Sequence, residues 1–164
     1  MGDAIIRRAA AGDHPAILAI YNHFVEHDVS TFDVEPLDEL PGWVSSAGRS
    51  GPHQLFVAEV GHAVVGWCVS SRVRQKPAYA QSVEVTVYLD PPYAGQGLGT
   101  RLYAALFEAL DGSGVHRAYA AIAGDNPVSV GLHERFGFRH VGTWSEVGFK
   151  FGSYVDAAWY EKAF

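Results

Sequence analysis

Residues 87–102 read Val-Tyr-Leu-Asp-Pro-Pro-Tyr-Ala-Gly-Gln-Gly-Leu-Gly-Thr-Arg-Leu. An apolar strand enters a loop with glycine at 95, 97 and 99, and a long helix leaves it. Glycine lets the backbone approach a ligand and turn its N–H groups outward. The first turn of the helix adds N–H donors without helical partners and the positive end of the helix dipole. Together these predict a cradle for pyrophosphate. Gly-X-Gly-X-Gly is not the dinucleotide fingerprint G-x-G-x-x-G, and no Lys-Ser/Thr follows as in a P-loop. Doubly wound nucleotide folds carry such a unit near the start of a parallel sheet, whereas here antiparallel hairpins come first. The pattern points to a phosphorylated cofactor of another kind. Glu84 lies on the strand just before the loop, which places an acid or base beside that cofactor.

Outward from this stretch, residues 4–8 are a short apolar edge strand. Asp13 is expected to cap a helix with Pro15 in its first turn. Ile17, Leu18, Ile20, Tyr21, Phe24 and Val25 then recur at helical spacing. Residues 30–36 are polar and extended. A second helix is expected over 37–47, weakened by Pro41 and Gly42. Residues 55–60 and 63–71 read as a hairpin turning at Gly61-His62. A basic, proline-bearing connection spans 72–80. Over 82–89, Val83, Val85, Val87 and Leu89 alternate with Glu84, Thr86 and Tyr88, a period of two. The helix over 97–110 buries Leu98, Leu102, Leu106, Ala109 and Leu110. A strand at 117–122, a short helix at 126–135 and closing strands at 141–147 and 154–164 complete the chain. The strand–helix–strand unit over 82–122 predicts one right-handed parallel pair among antiparallel neighbours. The expected fold class is α/β (α+β), a mixed, mostly antiparallel sheet flanked by helices, in a single domain over residues 1–164.

The chain has 164 residues, enough for one sizeable core. Its 48% hydrophobic and 18% charged content suits a soluble globular protein. A net charge of −6 argues against a phosphate-backbone partner. No apolar run approaches the roughly 20 residues of a membrane helix, and the start of the chain lacks the long apolar core of a secretion signal. The single cysteine, Cys68, excludes an internal disulfide. The expectation is a cytoplasmic protein with neither nucleic acid nor membrane as partner.

A series of motifs then runs along nearly the whole chain. Ile20-Tyr21-Asn22 and Ser30-Thr31-Phe32 come first, and Val83-Glu84-Val85-Thr86-Val87-Tyr88 precedes the glycine loop. Asn126, Ser129, Leu132-His133-Glu134, Phe136-Gly137-Phe138, Gly148-Phe149-Lys150-Phe151-Gly152 and Asp156 follow. In this order they resemble the GNAT superfamily of N-acetyltransferases, and within it the phosphinothricin/methionine sulfoximine N-acetyltransferases. The resemblance implies the GNAT fold, acetyl-CoA as donor, a small primary amine as acceptor, and a homodimer. One position departs from it. The superfamily loop usually opens with Arg or Gln three residues before Gly97, and here that residue is Ala94.

The resemblance assigns the general base to Glu84 and pairs the pantetheine amides with the strand edge at Val87, Tyr88 and Leu89. The pyrophosphate falls to Gly95, Gln96, Gly97, Leu98, Gly99 and Thr100. Asn126 is the matching contact to the pantetheine arm, and Ser129 is a further cofactor-binding candidate. His133 stands where the superfamily often has tyrosine, as proton donor to the departing thiolate or as a polar anchor. A carboxylate near the amine can take the proton that attack on a thioester requires. Arg72, Arg74 and Tyr79 are candidates for the acceptor site, since Arg can clamp an amino-acid carboxylate with paired hydrogen bonds. Phe32 is a candidate apolar wall and Lys150 a further candidate contact; core packing and loop structure are the plain alternatives for these two. Two rival chemistries are weaker. His23-Phe24-Val25-Glu26-His27 fits the inverted zinc motif H-x-x-E-H, but no strong third ligand is apparent and no metal set is assigned. Cys68 suggests an acyl-cysteine route, but it lies in an alternating strand where buried cysteines are common. Two other functions share the same features: acetylation of a peptide or protein N-terminus, and non-catalytic sensing of acyl-CoA.

Overall fold

The computed structural model describes residues 3–48 and 50–164. Strand β1 (Ile5–Arg8) lies antiparallel to β2 (Leu55–Val60). β2 turns through Gly61 and His62, both at positive φ, into β3 (Ala63–Arg72). β4 (Ser82–Leu89) pairs antiparallel with β3 and parallel with β5 (Arg117–Ala123). β6 (Arg139–Lys150) and β7 (Ser153–Ala163) close a seven-stranded sheet of order β1-β2-β3-β4-β5-β7-β6. The mixed, mostly antiparallel α/β architecture is as the alternation predicts; β6 runs longer than its expected span, and β7 matches its span shifted by one residue.

Helices cover both faces. α1 (His14–His27) packs Ile17, Ile20, Tyr21 and Val25 on Val57, Trp67, Val69 and Tyr88. The other face carries α3 (Leu98–Leu110), whose Leu98, Leu102, Tyr103, Leu106, Phe107 and Leu110 meet Phe56, Cys68, Val83, Val85 and Ala118. Tyr103 and Phe107 widen the buried stripe beyond the expected leucines, while Ala109 is only half-buried. The period of two along β4 holds, but its second face is not simply polar. Tyr88 is buried beneath α1 beside Trp67, ring centroids 5.3 Å apart.

Two local expectations are corrected. The helix over 37–47 reduces to α2 (Gly42–Ser45), with Pro41 extended as its N-cap. Proline steers the preceding residue out of the helical region. Further upstream, the Asn22 side chain takes both main-chain groups of Leu37, at 2.8 and 2.9 Å, in place of helical partners. Nor does Asp13 cap α1 through its side chain. Its carboxylate accepts from the Ala10 N–H at 2.7 Å and pairs with Arg7, which draws it below the usual carboxylate range.

The last helix, α4 (Pro127–Arg135), follows β5 directly. Asn126 is its N-cap, accepting the Ser129 N–H at 2.9 Å. Among the described residues no helix is long and apolar enough to cross a membrane.

Candidate active site

β4 and β5 are joined only over Ser82–Glu84 and Arg117–Tyr119. Beyond Glu84 they part, β4 staying with β3 as far as Leu89 and β5 following β7 as far as Ala123. The Asp90 N–H donates to Val65 O on the β3 side, and the His116 N–H donates to Gln81 O on the β5 side. Main-chain groups alternate along a strand. The even-numbered residues of β4 therefore point at β3, and the odd-numbered ones at the gap. This leaves the N–H and C=O of Val87 and Leu89 facing the opening, an unpaired edge that an extended amide chain can join. The Tyr88 main chain is committed to β3. Its side chain lines the cavity, and the hydroxyl donates to Ser30 O at 3.0 Å.

A cavity of about 780 Å³ occupies this opening. Its lining includes Glu84 and Val85–Leu89 of β4, Ala121–Ala123 of β5, Asn126, Ser129 and His133, and on the α1 side Phe24, His27 and Phe32. At one end it reaches Ala94 and Gly99. There Gly95 and Gly97 adopt left-handed φ of 75° and 78°. No hydrogen-bond partner takes the N–H of Gly95, Gln96 or Gly97 among the described residues. Leu98, Gly99 and Thr100 form the first turn of α3, whose N–H groups have no acceptor four residues back. This run of unpaired donors suits a pyrophosphate. With the free edge of β4, the residues present fit a nucleotide carrying a long amide arm.

Glu84 lines the cavity, and among the described residues its carboxylate enters no ion pair or hydrogen bond. Burial pushes its pKa above the ordinary glutamate value, and the nearby Arg74 charge opposes that rise. Arg72, across β3, also lines the cavity. Arg74 and Tyr79 do not line it. Arg74 donates to Val73 O at 2.7 Å and acts on Glu84 by its field, while Tyr79 is exposed in a short 3-10 turn.

His133 is 3% exposed, and both its ring nitrogens are engaged. Nδ1 lies 2.8 Å from Ser129 O, which can only accept, so Nδ1 carries the proton. Burial lowers the pKa and favours the neutral ring, so Nε2 accepts from the Tyr103 hydroxyl at 2.9 Å. This geometry ties both ring nitrogens to Tyr103 and Ser129, which leaves the neutral ring no free N–H for a departing thiolate and no free nitrogen for a ligand. Asn126 spends its side-chain oxygen on the α4 cap, and its amide nitrogen has no partner among the described residues.

A further wall of the cavity is formed by Asp28, Ser30, Thr31 and Phe32. The Tyr21 hydroxyl lies 2.7 Å from Thr31 Oγ1 and 2.6 Å from the Asp33 carboxylate. Lys150 is not available to a substrate. Its ammonium is buried and donates to the carbonyls of Phe24, Asp28 and Thr31 at 3.3, 2.6 and 2.8 Å, exhausting its three hydrogens. It ties the end of β6 to this wall. Phe32 lies over Gly148, where an added Cβ would come 2.5 Å from Phe32 Cζ.

The rival chemistries lose their geometry. The rings of His23 and His27 stack 4.7 Å apart and turn faces, not lone pairs, to each other. Cys68 lies outside the cavity, fully buried, with its thiol pKa pushed up by burial. Sequence reasoning missed Tyr103 and Ser30 as lining residues. Tyr103 meets His133 from 30 positions away, a contact no local spacing announces. Phe24 and His27 carried a usable signal, since three-residue helical spacing puts them on one face of α1.

The GNAT acetyltransferase family model matches residues 17–138. A phosphinothricin N-acetyltransferase of Streptomyces coelicolor is 48% identical over 96% of this chain and 94% of its own length. An L-methionine sulfoximine/L-methionine sulfone acetyltransferase of Pseudomonas aeruginosa is 35% identical over 93% and 90%. Among solved structures, a phosphinothricin acetyltransferase from Sinorhizobium meliloti in complex with acetyl-CoA superimposes with a TM-score of 0.90 at 30% identity, over 98% of this chain and 88% of that one. The chain belongs to the GNAT acetyltransferase family. It is an acetyl-CoA-dependent N-acetyltransferase.

Proposed function

We propose that this enzyme acetylates the α-amine of a small amino acid or analogue of the phosphinothricin, methionine sulfoximine or methionine sulfone type. The observation carrying this reading is the unpaired Glu84 carboxylate in the cavity wall, beside Arg72 and on the strand that leads to the glycine cradle. Acetyl-CoA supplies the activated acyl group. Arg72 holds the acceptor carboxylate and turns the amine toward Glu84. Glu84 takes the proton that the nitrogen must lose as it bonds to the acyl carbon. The Leu89 N–H, on the free edge of β4, donates to the acyl oxygen as charge builds there. The carbon–sulfur bond breaks as the amide forms, and coenzyme A departs as its thiolate, to be protonated by solvent. His133 keeps Ser129 and Tyr103 in place at the wall. Holding amine and acyl carbon in one cavity makes the encounter effectively unimolecular. The single, buried thiol suits the reducing cytoplasm in which we place the reaction.

The test is acetyl-CoA consumption across free amino acids, their sulfone and sulfoximine analogues, neutral amines and short peptides. Turnover is expected on the amino acids and analogues. Arg72→Ala should raise KM for these by roughly tenfold or more, the weight of one charge-assisted pair, and leave neutral amines nearly unchanged. Equal effects on both classes remove the carboxylate clamp. Turnover on peptides alone makes an N-terminus the acceptor, and coenzyme binding without any turnover makes the protein a sensor.

The partner in this reading is a second copy of the chain. β6 is an edge strand, and with β7 it exposes Trp144, Phe149, Phe151 and Tyr154, an apolar arm typical of an interaction surface. Sedimentation should give a dimer that Phe151→Glu with Tyr154→Glu converts to monomers. A monomeric wild type rejects the dimer.

A further inference from the structure

The cradle has donors but lacks the Arg or Gln side chain that usually opens the superfamily loop, since Ala94 ends at Cβ. Three side chains could serve its charge or hydrogen bonding from nearby. Gln96 is turned back, its amide donating to Pro92 O at 3.0 Å. Arg101 turns toward the β1 edge of the sheet and donates to Ala4 O at 2.7 Å. Arg135 differs from both. It is the last residue of α4, exposed, in no ion pair among the described residues, and its Nη1 stands 3.4 Å from Thr100 Oγ1 on the first turn of α3.

The approach of the two helices fixes this placement. A Cβ at Gly99 would come 3.3 Å from Leu132 Cδ2, so α4 rests directly on the start of α3. One helical turn brings residue 135 beside residue 132, which carries the guanidinium to the rim of the cradle. A guanidinium on a phosphate forms two parallel charge-assisted bonds, and here it adds to the field of the helix N-terminus.

We propose that Arg135, reaching in from α4, replaces the missing loop residue at 94 as the cation on the coenzyme pyrophosphate. This rests on the acetyl-CoA reading of the cradle. It makes affinity for the coenzyme depend on the docking of α4 against α3, and not on the loop alone.

Calorimetric titration tests this without any turnover. Arg135→Ala should bind both coenzyme A and 3′-dephospho-coenzyme A about tenfold more weakly, the loss of one charge-assisted contact. Its affinity should also depend less steeply on salt. Because Arg135 is exposed, the variant should keep the wild-type melting curve; Arg135→Lys, which keeps the charge without the paired bonds, should fall between. Adding Ala94→Arg to Arg135→Ala should restore most of the affinity. Unchanged affinity in Arg135→Ala overturns the proposal. So does a loss seen with coenzyme A but not with its dephospho form, because the contact would then lie at the 3′-phosphate. A wild type that binds neither compound defeats the coenzyme reading itself, a separate result.

Discussion

Glu84→Gln lowers kcat by about 10²–10⁴-fold, the usual weight of a positioned general base, while acetyl-CoA affinity stays near the wild-type value. Glutamine keeps the shape and loses only the basic oxygen. Because the carboxylate has no ion-pair partner among the described residues, the exchange strands no other charge. The pH profile should carry the same signature. A base works in its deprotonated form, so kcat/KM climbs as pH rises through the Glu84 pKa. Burial raises that pKa, so the acidic limb lies above the ordinary glutamate value of 4.5. Arg74 holds the pKa down, so Arg74→Ala moves the limb to higher pH, an effect that added salt weakens. A Glu84→Gln enzyme with wild-type turnover, or a limb indifferent to Arg74, removes Glu84 from the role.

Gly97→Val should abolish coenzyme binding. Gly97 is the N-cap of α3 at φ 78° and ψ 3°, and nothing lies within 4 Å of a Cβ built there. Space is therefore not the obstacle; the backbone angle is. A β-branched residue held in the left-handed region costs about 1–3 kcal/mol. The chain escapes this by turning the peptide, which aims the Gly97 and Leu98 N–H groups away from the phosphates. Losing two charge-assisted contacts weakens binding by roughly 10²-fold or more. Titration with coenzyme A, beside a melting curve that establishes the fold, decides it. A folded Gly97→Val protein with wild-type affinity contradicts the cradle.

Legibility in the sequence follows the range of the forces involved. The strand–glycine–helix unit over 82–110 is written locally: period two, then left-handed glycines, then period 3.6. Its elements stand where the sequence places them. The helix expected at 37–47 failed because its competitor is remote. Asn22, on another helix, claims the main chain of Leu37. Lys150 misled for a similar reason, since a lysine in a glycine-rich turn looks solvent-bound until three distant carbonyls close around it. For Tyr88 the alternation gave the correct face but not its cover, because only packing shows that α1 lies on it. Arg72, Arg74 and Tyr79 formed one cluster on paper. The strand end keeps Arg72 at the cavity, and the following turn carries Tyr79 away.

The contact of Phe32 with Gly148 couples two residues 116 positions apart. The ring lines the cavity, in what we propose is the acceptor chamber, yet its seat is set by a glycine in the edge strand. Size is shared between the two sites: a methyl gained at 148 must be surrendered at 32, or the ring swings into the chamber. On the proposed reading, a residue absent from the cavity lining thus reaches the room left for the amine, and exchanges at 148 and 32 should act as a pair, not singly.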